Sequence, residues 1–266
     1  MGSPTLTEGL QRLCASAGLD LASVKPWLVT RMELLAERTE TVADGERMVA
    51  YAERVMRHCE AIRQSQPFNE SERRVVLLGC LFSDIGKTGP VAADASGQTL
   101  IVEMFGVEGV RDDSQTVRKF FATYFEADAD ERTERFSALG LDPEMSIRSF
   151  WNLHSTWTLE LGEAAALPPE VVAAAAAHHL IDDINPKQIV ADDRTYTRPF
   201  GANAAFDRAE KLIILLDKYD AVRRRGRQSH AEAIAYLRHR LDHSARFRGD
   251  AEFTTLIADM DAALSE

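Results

Sequence analysis

The run from Val75 to Phe82 is apolar on every face, and it leads without a break into Ser83-Asp84-Ile85-Gly86-Lys87-Thr88-Gly89-Pro90. A helix of that kind has no side to show to water, so it belongs in the middle of a core with neighbours all round. Gly86 is a natural stop for such a helix, and Gly89-Pro90 keeps it from resuming. The consequence falls on Asp84. It sits in the last turn of a buried element, where an ionised carboxylate is costly without a cation or hydrogen-bond donors. Lys87 is within reach of it. Taken alone, this is a helix end closed by an Asp–Lys pair.

The surrounding chain reads as helix. Ala-, Leu-, Glu- and Arg-rich stretches dominate, with only 15 glycines and 9 prolines in 266 residues, and 45% hydrophobic residues are enough for a sizeable core. Residues 5–45 read as two or three short helices, broken near Gly18, Pro26 and Asp44-Gly45. The periodicity predicts a long amphipathic helix over 46–64, and Asn69 or Ser71 caps the next, over 70–85. Further helices are expected over 114–125, 128–139, 145–161, 170–179 (opened by Pro168-Pro169), 206–223 and 229–243, with one more at the C-terminus. Residues 181–203 read as a long polar loop, and only Thr99–Met104 suggests a strand. The expectation is an all-α protein with one core. It has an N-terminal helical extension (1–45), a main helical domain (46–243) carrying an inserted segment (91–143), and a C-terminal helix (244–266).

A formal charge of -11 argues against binding to nucleic-acid polymers or anionic membranes. Cys14, Cys59 and Cys80 are odd in number and lack paired spacing, which suits reduced thiols and a cytoplasmic location. No basic-then-apolar leader and no apolar run of membrane-spanning length is expected.

Metal-capable residues fall at telling places. His154 lies mid-helix among large apolar residues, His178-His179 ends an alanine-rich helix, and Asp217 interrupts the apolar run Leu212–Leu216 with Asp220 one turn on. Each has a plain structural use: a histidine bonded to a carbonyl, a pair answering the helix dipole, an aspartate paired with Lys211, Lys218 or an arginine. Together with Asp84 they form a set of imidazoles and carboxylates on separate apolar helices, the donors that suit zinc, iron or manganese.

The order of Asp84-Ile85-Gly86-Lys87, His154, His178-His179 and Asp217-Lys218-Tyr219-Asp220-Ala221 resembles the HD superfamily of metal-dependent phosphohydrolases. It is nearest the HD-GYP branch, which hydrolyses cyclic di-GMP, with the regulatory HDOD domains as degenerate relatives. The resemblance spans residues 46–240 and implies an HD-type helical bundle. It carries metal ligation over to Asp84, His154, His178, His179 and Asp217, and phosphate contact to Lys87, with Asp84 and Lys87 as the catalytic pair. A cluster of Arg223, Arg224, Arg225 and Arg227 stands where the family has an arginine-containing loop and is expected to meet phosphate or nucleotide. Tyr51, 32 positions ahead of Ser83, replaces the family's first histidine, Ser83 replaces the histidine of the His-Asp doublet, and the Gly-Tyr-Pro signature is missing.

These departures matter chemically. The family site built from the first histidine, the doublet and the last aspartate keeps only Asp84 and Asp217, a poor transition-metal set. The other, Asp84 with His154, His178 and perhaps His179, is whole and suits one divalent Fe, Mn or Zn. The resemblance therefore implies a degenerate HD-GYP-like domain in nucleotide second-messenger signalling. It would have one metal, weak or no phosphodiesterase activity, and a cyclic dinucleotide, another nucleotide, a protein partner or a second copy as its ligand. The alternative is an active metal-dependent phosphohydrolase of cyclic di-GMP or a related nucleotide. Oxygen-activating chemistry at a di-iron centre is a third reading, weakened by the same losses. The aromatic residues of 91–143 either pack on the core or offer a partner surface.

Overall fold

The computed structural model describes residues 6–62, 65–224 and 226–265. Within them the chain forms twelve α-helices and one short hairpin. The helices are α1 (Leu6–Ser16), α2 (Pro26–Arg38), α3 (Thr41–Ala61), α4 (Glu70–Phe82), α5 (Ala95–Gly106), α6 (Val117–Tyr124), α7 (Ala129–Ala138), α8 (Ile147–Ala164), α9 (Pro169–Ala176), α10 (Arg208–Arg224), α11 (His230–His243) and α12 (Ala251–Leu264). The protein is all-α apart from the antiparallel strands β1 (Thr195–Phe200) and β2 (Asn203–Ala205). No helix among the described residues is long and apolar enough to cross a membrane.

The apolar run is the centre of the molecule. Asn69 and Glu72 close a reciprocal capping box at the start of α4, and every residue from Val75 to Phe82 is buried. Neighbours reach it through small residues. A Cβ on Gly79 would lie 2.4 Å from the Ile213 side chain of α10 and 3.7 Å from Ala174 of α9, and one on Gly45 of α3 would lie 3.3 Å from the Cys80 carbonyl. Side-chain-free faces let three helices pack closely round α4, which is why it needs no polar side. Leu212 to Leu216 on α10 are buried as well, and one apolar cluster runs through all layers. Cys14, Cys59 and Cys80 are free and buried in it.

Several boundaries differ from the sequence reading. Asp44-Gly45 lies inside α3, which starts at Thr41 and ends at Ala61. The glycine there is a packing residue and does not break the helix. Thr99–Met104 is helical, because the Asp94 carboxylate accepts from the Gly97 N–H and starts α5 in the middle of an apolar stretch. Strand β1 lies in the expected polar loop and β2 at its end, with Gly201 at a left-handed φ of 62° in the hairpin bend. In the inserted segment Phe120, Phe121 and Phe136 are fully buried, and the rings of Phe121, Phe136 and Phe150 meet edge to face. Phe120, Phe121 and Phe136 are thus enclosed where the segment packs toward α8, while Phe105, Tyr124 and Phe125 are half-buried.

The hairpin is tied down by a buried acid. Glu210 is fully buried, accepting from the Tyr196 hydroxyl at 2.7 Å and from the Asn203 amide at 3.1 Å. Burial, and then the neighbouring Asp207 carboxylate, push its carboxyl well above the ordinary range, which favours the protonated form in the folded protein. A raised folded-state value means that folding takes up a proton. The contribution is complete below the ordinary glutamate range and is lost as pH rises through the raised value. Glu210→Gln keeps the shape without titrating. Its stability relative to wild type should therefore improve by about 1.4 kcal/mol per pH unit across that window, measured by chemical denaturation from pH 4 upward. Parallel profiles for the two proteins would contradict a protonated Glu210.

Candidate metal centre

Helix α4 ends at Phe82 with Ser83 as its cap, and Asp84 opens a 3-10 turn over Ile85–Thr88. Gly86 therefore does not terminate α4; it lies inside the turn that follows. A Cβ there would lie 1.9 Å from the His154 carbonyl oxygen and 2.6 Å from the Thr158 nitrogen, so only glycine lets the turn press against the α8 backbone. Thr158, one helical turn beyond His154, fastens the contact: its hydroxyl donates to the Ser83 carbonyl at 2.8 Å and accepts from the Gly86 N–H at 3.1 Å. Gly89, with φ 85°, is the residue that reverses the chain. Arg31 of α2 gathers the chain around this reversal, donating to the carbonyls of Thr88, Gly89, Pro90, Val91 and Ala93 at 3.1–3.5 Å. Burial lowers this guanidinium to about 10, so it keeps its charge and is solvated by backbone dipoles.

Helix α9 stops at Ala176, three residues earlier than the alanine run suggests, and a 3-10 turn over Leu180–Asp182 follows with Asp183 left-handed at φ 61°. His178 and His179 thus fall in the bend and turn back toward α8. The ring nitrogens of His154, His178 and His179 that face one another lie within 4.8 Å, a group that can hold a metal ion.

Hydrogen bonding fixes which of these nitrogens carry lone pairs. His154 Nδ1 donates to the Trp151 carbonyl, and His178 Nδ1 donates to the Ala175 carbonyl at 2.6 Å. Both rings are buried, and burial lowers the His154 value, which favours the neutral ring. With the proton on Nδ1, each Nε2 is an acceptor. The two Nε2 atoms are 3.1 Å apart and lie 3.3 and 3.6 Å from Asp84 Oδ1, a buried oxygen with no hydrogen-bond partner. Three acceptors thus converge with no donor among them. Ligands held about 2.1 Å from a common ion at 90–109° to one another are about 3.0–3.4 Å apart, and these spacings are close to that. The donor set fits a divalent transition metal. Carbonyl-bonded Nδ1 atoms are also the usual outer partners that orient metal-binding histidines. Burial, the largest influence, raises the Asp84 carboxyl; the Lys87 ammonium, 2.6 Å from Oδ2, acts with His154 and His178 to bring the group well below the ordinary carboxylate range.

His179 differs. Its Nδ1 faces the Lys218 ammonium at 2.6 Å, with Asp182 Oδ2 at 3.5 Å and Asp217 Oδ2 at 3.6 Å. Burial, then His178 and Lys218, lower its value well below the usual histidine range. Asp217, which burial would raise, is held down to about 2 first by Lys218 and then by the histidines. Its partner is Lys218 and not Lys211, which pairs with Asp250 and Glu252. Arg240 of α11 pairs with Asp182 from the other side.

The expected residues divide accordingly. Asp84, Lys87, His154, His178, His179 and Asp217 come together. Ser83 instead donates to the Cys80 carbonyl at 3.2 Å, and Tyr51 stacks edge-on against Tyr219 with ring centres 5.4 Å apart. Neither is bonded to the acceptor cluster in place of a lost ligand. Arg224 donates to Asp44 at 2.5 Å, inside a network in which Arg47 holds Asp220 at 2.9 and 3.2 Å. Arg223 donates to the Gln228 carbonyl at 2.7 Å, Arg227 is exposed, and Arg225 lies outside the described residues. Arg223 and Arg224 thus hold the end of α10, and among the described residues no cluster of these arginines faces the histidines. Thr158, Arg31, Asp182 and Arg240 carry parts of the centre that the motif order did not indicate, and Lys218 pairs with Asp217 as one of the partners the sequence offered.

Compared with protein-family models, with curated proteins and with solved structures, the chain matches none.

Gly86→Ala tests the close approach directly. The added methyl has backbone on its far side, so it should cost about 3 kcal/mol or more, measured by urea denaturation. Stability equal to wild type would show that the turn does not press on α8.

Proposed function

We propose that this chain is an HD-type helical domain of nucleotide second-messenger signalling. It holds one divalent iron, manganese or zinc ion on Asp84, His154 and His178, and hydrolyses phosphodiesters weakly or not at all. The observation that carries the reading is the convergence of Asp84 Oδ1 and two imidazole Nε2 atoms, all acceptors, on one buried point. Uncompensated acceptors in a buried place are costly, and a cation removes the cost. Held by Asp84, His154 and His178, such an ion would supply Lewis acidity.

The other residues support binding more than turnover. Lys87 is committed to Asp84 Oδ2, which leaves Oδ1 as the free oxygen. The side chains at the two lost family positions, Tyr51 and Ser83, point their bonds elsewhere, so the second ion of a two-metal phosphodiesterase lacks its imidazoles. Of the arginines expected at phosphate, Arg224 is engaged by Asp44 and Arg223 by a backbone carbonyl. Without a second ion and those cations, the charge of a phosphoryl transition state has little to meet it.

Protein purified without chelators or affinity metal should contain close to one equivalent of transition metal by elemental analysis. His154→Ala and His178→Ala should lose it while keeping their helical circular dichroism. Cyclic di-GMP should be turned over at or near background. Full metal content in both folded variants would overturn the site, and robust turnover would make the protein an active phosphodiesterase.

A further inference from the structure

One buried cation belongs to none of the ligand roles above. Lys218 follows Asp217 on α10 in a stretch that is otherwise mostly apolar, and its ammonium reaches inward, with its side chain only 10% exposed. Three groups meet it: Asp182 Oδ2 at 2.7 Å, Asp217 Oδ2 at 3.0 Å and His179 Nδ1 at 2.6 Å. Two carboxylates and an imidazole, drawn from the turn after α9 and from α10, are the donor types that coordinate divalent ions. Here they surround an ammonium instead. The fit to the ammonium is incomplete. Asp217 Oδ2 is close enough to be an ion pair but has no hydrogen bond, so the carboxylate is neutralised by charge without being directed by a donor.

Two further consequences follow from the ammonium. As a donor to Nδ1 it puts the His179 ring proton on Nε2, the reverse of His154 and His178, so the His179 lone pair is already in use. It also completes the charge balance, because Lys87, Lys218 and Arg240 match Asp84, Asp182 and Asp217 one for one. One divalent ion on the Asp84 side adds two charges to this neutral set. A second would meet the Lys218 ammonium at close range in a poorly screened place.

We propose that Lys218 is a built-in cation standing where Asp182, Asp217 and His179 would otherwise bind a second divalent ion, and that it thereby restricts the centre to one metal. The counting of that ion as second rests on the Asp84–His154–His178 reading; the blocking role of Lys218 does not. Removing the ammonium frees the His179 lone pair and leaves two carboxylates short of a cation, a site for Mn²⁺ or a similar hard-to-borderline ion. Retaining a positive charge at the same place keeps the site closed.

The test is the number of Mn²⁺ ions bound by the full chain in equilibrium dialysis, for wild type, Lys218→Met, Lys218→Gln, Lys218→Arg and Lys218→Met/Asp182→Asn. Lys218→Met and Lys218→Gln should each bind one equivalent more than wild type. Lys218→Arg should match wild type, and the Asp182→Asn addition should weaken the extra ion at least tenfold. Electron paramagnetic resonance of the Lys218→Met protein should show the exchange-coupled spectrum of two neighbouring Mn²⁺ ions, absent from wild type. A wild type that binds no ion, with variants that gain one, would sink the Asp84–His154–His178 site and leave the blocking role standing. Folded Lys218→Met or Lys218→Gln protein with the same stoichiometry as wild type would overturn the inference. If Lys218→Met folds neither with nor without Mn²⁺, Lys218→Gln decides alone.

Discussion

A carboxylate just beyond the buried end of a helix is the constraint to which most of this structure answers. Asp84 follows nine consecutive buried residues, and its Oδ1 is shut off from water with no hydrogen-bond partner. Each of its oxygens is dealt with differently. Lys87, three residues on, takes Oδ2 directly, which needs nothing but the 3-10 turn that brings it round. Oδ1 is left facing two imidazole lone pairs, an arrangement that is unfavourable for the protein alone and favourable round a cation.

The rest of the fold holds that geometry in place. The turn after α4 can touch the α8 backbone only because residue 86 has no side chain, and Thr158 bonds both sides of the contact. The same α8 helix supplies His154, so the contact that positions Asp84 also sets its distance to the first imidazole. Arg31 fixes the chain on the other side of Lys87 by collecting five carbonyls, so an N-terminal helix supports a centre to which it gives no ligand. Beyond this inner set lies a second layer of buried and half-buried charge, Lys218 with Asp182 and Asp217, and Arg47 and Arg224 with Asp44 and Asp220. Buried ion pairs are weak sources of stability because desolvation offsets attraction. Their placement on both sides of α10 is better understood as setting the charge around the centre.

Much of this is legible in the sequence, and the failures have physical causes. An apolar run without a polar face, alanines ahead of a His-His pair and an aspartate inside Leu212–Leu216 each imply burial. Patterning therefore marks Asp84, His154, His178, His179 and Asp217 as metal-capable residues on buried elements, and the family resemblance joins them into one set. Helix α5 reads as a strand by pattern because its β-branched and aromatic residues satisfy both periods, while the Asp94 cap that decides it lies outside the run. The arginine cluster looks free in the sequence because its partner, Asp44, is 180 residues from Arg224, a pairing that no local pattern shows. Lys218 has the weakest signal. A lysine beside an aspartate on a helix usually reaches solvent, and only the three-dimensional placement of Asp182 and His179 shows that this one does not.

The central claim is that Asp84 Oδ1 and the Nε2 atoms of His154 and His178 share one ion. Anomalous diffraction from crystals grown with Mn²⁺, recorded with the chain otherwise unaltered, tests it most directly. The account predicts a single strong peak about 2.0–2.3 Å from those three atoms, with Lys218 still between Asp182 and Asp217. A fully occupied peak elsewhere, or none in metal-loaded crystals with both rings in place, would contradict it.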